Sequence, residues 1–266
     1  MRISSIILSQ VLIFSWAVLG SPCADAQARP DNERVVTEAD GTKTVLVRWA
    51  IGSRDNIVTL HIPLAYLPIV GADSRNDPFM GTKVFEAMLW DLHPKPRNRE
   101  LPRSERNQLV TGMIESVLAG TKRRNETEQL STRAKNNLES VKHNAYQTKY
   151  HLEVAEKPGR FGLKRIGAIH TLGNQTPVGL DDFYYTGSDP ETSPDFMLCS
   201  DEAVPDDPPP GRYENPGCQQ WFALPELSAT VKVSYRRRYL GEWREIKRLV
   251  TQQLLSWKVS NGENRR

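Results

Sequence analysis

The chain has 266 residues, of which 38% are hydrophobic and 25% charged, and its formal net charge is +3. This balance suits a soluble globular protein with a sizeable core and argues against a membrane protein. A charge of +3 is too small to imply nucleic-acid binding.

The first 26 residues read as a secretory signal peptide. Met1-Arg2 gives a basic start, Ile6 to Leu19 an apolar middle, and Ala24 to Ala28 a small-residue site cut after Ala26 or Ala28. The apolar run is short and broken by Ser9, Gln10 and Ser15, so it does not suit a bilayer span of about 20 residues. Pro22 beside Cys23 disfavours a lipid anchor there. The expected product is periplasmic: a single α+β domain over 27–258 with a flexible tail over 259–266.

Thr42 to Ile51 alternates as a strand, and Asn56 to Leu67 is a second strand whose Pro63 demands an edge or an end. Gly71 to Asp77 reads as a turn or loop. Thr82 to His93 favours a strand, stopped by His93-Pro94-Lys95-Pro96. Arg97 to Asn107 reads as a polar loop, and Gln108 to Leu118 fits strand or helix. From Glu126 to Val141, Leu130, Ala134, Leu138 and Val141 keep helical spacing. The other faces of this segment are polar, which predicts a narrow exposed helix or a flexible excursion. Tyr146 to Val154, Leu163 to Leu172 and Asp182 to Thr186 read as strands. Ser228 to Tyr235 alternates strictly, with Val231, Val233 and Tyr235 on one face and Lys232 and Ser234 on the other. A helix follows from about Tyr239 to Trp257, with Leu240, Trp243, Ile246, Val250, Leu254 and Trp257 as its apolar stripe. The pattern predicts an α+β fold: a mainly antiparallel sheet, a C-terminal amphipathic helix packed on it, and a further helix in the middle.

Loss of Cys23 with the leader leaves Cys199 and Cys218, an even pair that an exported protein is expected to oxidise. Closing a loop of about 20 residues stabilises the fold by roughly 3 kcal/mol in the chain-entropy model. The loop is rich in proline and acidic residues and packs poorly alone, which gives a covalent clamp its use.

The sequence holds no Gly-x-Ser-x-Gly elbow, no His-Glu-x-x-His, no phosphate loop and no dinucleotide fingerprint. The carboxylate pairs Asp181-Asp182 and Asp206-Asp207 are sequence neighbours, unlike the cleft-spanning pairs of glycosidases. No catalytic residue, cofactor or metal is expected. Charge is segregated: Lys95 to Arg165 is net basic, and Asp181 to Glu214 is acidic, with Arg212 its only cation. Two differently solvated faces and an electrostatic contact surface both account for this. The run Arg236-Arg237-Arg238 at the strand-to-helix junction is either a solvated corner or a grip on an acidic partner or anionic lipid.

Asp182-Phe183-Tyr184-Tyr185, Phe196-Met197-Leu198-Cys199 and Pro216-Gly217-Cys218-Gln219-Gln220-Trp221-Phe222 form an ordered series running into Val231 to Tyr235 and Trp243 to Ile246. With Ile62 to Leu67, this series resembles a group of exported, largely uncharacterised proteins of Gram-negative bacteria that accompany type VI secretion effectors. The resemblance implies an immunity-like role and no catalytic residues. The expected function is therefore binding of another protein, a secreted toxin or an envelope component. The candidate anchors are Arg212, Tyr213, Trp221, Arg236, Arg237 and Arg238. An envelope structural or assembly component is the second reading, and an envelope hydrolase with an unrecognised site the third.

Overall fold

The structure, a computed structural model, describes residues 33–50, 57–68, 82–96, 100–116, 125–147, 152–170, 180–202, 204–207 and 216–259. The expected signal peptide, the turn expected at Gly71 to Asp77, and the candidate anchors Arg212 and Tyr213 lie outside these residues.

In chain order the described elements begin with strands β1 (Glu33–Thr37), β2 (Lys43–Ala50), β3 (Ile57–Pro63) and β4 (Thr82–Met88). Helix α1 (Arg103–Arg106), β5 (Leu109–Ser116) and helix α2 (Glu126–Gln147) follow. Next come β6 (Leu152–Arg160), β7 (Leu163–His170), β8 (Asp181–Tyr185) and β9 (Asp195–Ser200). The series ends with β10 (Gly217–Leu224), β11 (Ala229–Arg236) and helix α3 (Trp243–Ser256). The strands β1-β2-β3 form a three-stranded antiparallel sheet. The other eight form a sheet of order β4-β5-β11-β10-β9-β8-β7-β6, with each neighbouring pair antiparallel. The chain is thus α+β, as its pattern of alternating runs predicts. Among the described residues no helix is long and apolar enough to cross a membrane.

Strand alternation sorts the large sheet into two faces. On one, Val231, Val233, Phe222, Met197 and Tyr184 meet the α3 stripe Trp243, Ile246, Val250 and Leu254. The small sheet adds Val45, Val47, Val58, Leu60 and Ile62 to the same core. Trp257 closes the junction, its ring meeting Tyr66 at 5.0 Å and Phe85 at 5.6 Å edge-on. The end of α3 is also sewn to β3: His61 N–H donates to Trp257 O at 2.7 Å, and Val259 N–H to Thr59 O at 2.9 Å. Val259, expected at the start of a flexible tail, is therefore held; residues 260–266 lie outside the described chain.

The opposite face carries α2. Asn125 caps it, its Oδ1 accepting from Glu128 N–H at 2.8 Å. The Leu130, Ala134, Leu138 and Val141 stripe is buried on Phe183, Tyr185, Phe196 and Trp221. Arg133 pins the helix to β5 through two bonds to Glu115, at 2.8 and 2.7 Å. The expected narrow helix forms, with its other faces exposed, and the flexible alternative does not: the narrow apolar stripe suffices because the facing strands supply large aromatics. The helix also continues through Gln147, so Tyr146, read as the start of a strand, is helical and exposed.

Other departures are local. Arg103–Arg106 makes one helical turn inside the expected polar loop. The ambiguous segment after it is β5. The chain before α3 is a 3-10 helix, Arg237–Glu242, so the α-helix starts later than Tyr239. Cys199 and Cys218 face each other directly across β9 and β10 with Cα atoms 4.1 Å apart, and their sulfurs are bonded.

Candidate binding surface

The acidic stretch from Asp181 onwards is largely neutralised within the chain. Arg165, itself buried, bonds Asp182 through Nε at 3.0 Å and Nη2 at 2.5 Å. Lys157 Nζ reaches Asp182 at 2.8 Å and Asp201 at 3.5 Å. Arg160 and Arg165 both grip Glu202, at 2.5 and 2.9 Å. Desolvation raises the Glu202 carboxyl, but the Arg160 hydrogen bond and the Arg165 charge outweigh it and leave it below its ordinary value. Gly167 makes room for this cluster, since a Cβ there would lie 1.8 Å from Asp182 Oδ1. Farther along, Lys247 of α3 bonds Asp195 at 2.6 Å. Much of the charge segregation visible in sequence is therefore internal pairing, with Lys157 and Arg160 of β6 and Arg165 of β7 set against acidic groups of β8 and the loop after β9.

The triple-arginine run divides three ways. Arg237 is buried, 8% exposed, and its guanidinium closes the loop that follows β9. It donates to Ser200 O at 3.0 Å and to Asp206 Oδ1 at 2.8 and 3.0 Å, and also to the carbonyls of Asp201 and Val204. Its expected place on a solvated or partner-facing corner is corrected: it is a structural clamp. Arg238 pairs with Asp207 and donates to Asp206 O at 3.2 Å. Arg236 points to the other side of the sheet.

Trp221 is corrected in the same way. Its ring is 7% exposed, stacks on Phe196 at 4.9 Å, and is covered by Lys232 at 5.6 Å. It is core under α2, not a surface anchor.

Among the described residues, nothing covers one end of the sheet face on which α2 packs. Beyond the aromatic row, Thr111, Ser234, Gln219 and Leu198 lie side by side in register on β5, β11, β10 and β9. These four floor an open cavity of about 390 Å³. Arg106 of α1 and Arg236 of β11 line its basic end, and Asp181 of β8 lines its far end. Three strand spacings separate β11 from β8, roughly 14 Å. Among the described residues, the side chains of Thr111, Ser234 and Gln219 have no hydrogen-bond partner, and Arg106 and Arg236 have no carboxylate partner. Desolvation, followed by the charges of Arg238, Arg103 and Arg106, holds the Arg236 guanidinium below its ordinary value. At the other end, desolvation and the adjacent Asp182 raise the Asp181 carboxyl.

Of the sequence-derived anchors among the described residues, only Arg236 lines this cavity. Arg106, Thr111, Gln219 and Ser234 are not evident from sequence. The strict alternation of β11 carries part of the signal, because it sets Ser234 and Arg236 on one face and Tyr235 and Arg237 on the other. Among the described residues no group of three or more His, Cys, Asp or Glu is arranged to hold a metal ion.

No protein-family model matches the chain, and no curated protein matches it. Among solved structures, it is similar in fold to an immunity protein of the Stenotrophomonas maltophilia type IV secretion system, at 17% sequence identity and a TM-score of 0.51. The match covers 85% of this chain and 99% of that one. At this identity the likeness is one of fold.

Proposed function

We propose that this chain is an immunity-type protein that acts by binding and neutralising another protein, a toxic effector, in the periplasm. The observation that carries the reading is the fold likeness to an immunity protein over 99% of that protein's chain. The buried Cys199–Cys218 disulfide supports an oxidising compartment, reached by cleavage of the leader after Ala26 or Ala28. The mature chain acts as a free binding module and not as an enzyme. Its partner-facing residues include Arg236, Arg238, Arg212 and Tyr213. The sequence resemblance points to a type VI effector, whereas the fold neighbour belongs to a type IV system.

The test therefore uses the candidate toxin among the products of the genes adjoining this chain's own, whichever machine delivers it. Purified mature protein and an inactive form of that toxin are mixed and followed by calorimetry and size-exclusion chromatography. A stoichiometric complex with Kd of about 1 μM or tighter is expected. No complex at tens of micromolar overturns the proposal.

A further inference from the structure

We infer that the partner docks in the cavity at the uncovered end of the large sheet and presents an acidic segment to it, with a carboxylate seated between Arg106 and Arg236. The inference names the partner chemistry of the binding function proposed above and rests on that reading.

Arg133, Arg160, Arg165, Arg237, Arg238 and Arg248 each meet a carboxylate of this chain. Arg106 and Arg236 line one cavity, and among the described residues neither does. Arg236 is half-buried and lies within reach of the Arg106 charge, so two like charges without a carboxylate partner among the described residues face one cavity. An incoming carboxylate relieves that repulsion and accepts charge-assisted hydrogen bonds from planar donors well suited to it. The floor adds hydroxyls from Thr111 and Ser234 and the amide of Gln219, groups that can bond a peptide backbone or polar side chains. Asp181, roughly 14 Å away across three strand spacings, makes the groove bipolar and sets the direction of the bound segment. An extended segment covers that span in about four residues, so a basic residue about four positions from the acidic one meets Asp181.

The test has two arms. In the first, Arg106→Glu and Arg236→Glu are titrated against the inactive toxin beside Lys135→Glu, a control on the exposed side of α2. Each groove variant is expected to weaken binding about tenfold or more, and the control less than about twofold. Binding of the wild type is expected to weaken as salt rises. Thermal melting confirms that each variant is folded. Wild-type binding with groove variants unchanged overturns the inference and leaves the proposed function standing. If the wild type binds no toxin, the proposed function falls, and the second arm judges the groove alone. There, a hexaglutamate peptide is added to the free protein and backbone amide shifts are followed. Shifts at Thr111, Ser234 and Gln219, absent with hexalysine and lost in Arg236→Glu, are the expected result. No shift, or shifts centred elsewhere, overturns the inference.

Discussion

Arg237 and Arg236 are adjacent in sequence yet have opposite roles, and this can be measured. Arg237→Met keeps most of the buried stem and removes the guanidinium. Three main-chain carbonyls, of Ser200, Asp201 and Val204, lose their donor, together with two bonds to Asp206. Asp206 is 45% exposed, so its share is discounted for solvent screening. The carbonyl bonds come from a charged donor that is 8% exposed, and at about 1–1.3 kcal/mol each the three sum to roughly 3–4 kcal/mol. In a chain of this size that lowers Tm by about 6–16 °C. Guanidinium unfolding followed by circular dichroism gives the free energy directly, and coincident fluorescence checks two-state behaviour. Arg237→Lys, a point charge that cannot reproduce the fork, is expected to recover less than half. Arg236→Met, which removes no hydrogen bond among the described residues, is expected to fall within about 0.5 kcal/mol of wild type. If Arg237→Met costs less than about 1 kcal/mol, or Arg236→Met costs as much, the division of roles is refuted.

Two further perturbations address the large sheet. Glu202 has a depressed folded pKa, so its stabilising contribution is fully present above its ordinary value of 4.5 and is lost as pH falls through the lower folded value. Glu202→Gln should therefore be less stable than wild type at pH 7, with the gap closing as urea unfolding is repeated below about pH 4; a pH-independent gap contradicts the assignment. At Gly112 of β5, a Cβ would lie 1.9 Å from Phe85 Cζ, and that ring is wedged against Trp257. Gly112→Ala is expected to cost more than about 3 kcal/mol by overpacking, and Phe85→Leu in the same chain to restore part of it, as read by thermal melting.

The elements most legible in sequence are those whose apolar residues keep a regular spacing. β2, β3, β11 and α3 show clean periodicity, and the α3 stripe was buried as its spacing requires. β9 and β10 show no strand periodicity in sequence, although their residues carry the resemblance. Both are covered on two sides, so Phe196-Met197-Leu198-Cys199 and Trp221-Phe222 are continuous apolar runs with no alternation to detect. The burial of α2 was hidden for another reason. Its stripe is small, and the aromatics that cover it come from β8, β9 and β10, far along the chain. Part of the candidate site was legible: the arginine run marked the right corner, and extending the β11 alternation by two residues turns Arg237 inward and leaves Arg236 with Ser234. The contribution of α1 could not be read, because Arg103–Arg106 is a four-residue helix within a polar stretch. Arg106 joins the cavity through tertiary placement alone. The charge segregation misled in part, since sequence cannot distinguish two solvated faces from two complementary ones that fold onto each other.

The central claim is that this protein works by occupying another protein through the uncovered end of its large sheet. Hydrogen exchange, compared between the free chain and its complex with the candidate toxin from the adjoining genes, tests that most directly. The account predicts slowed exchange concentrated in α1 and in the groove ends of β5, β10 and β11, with the outer face of α3 unchanged. Protection confined to α3 or to the three-stranded sheet, with the groove exchanging as in the free chain, contradicts it.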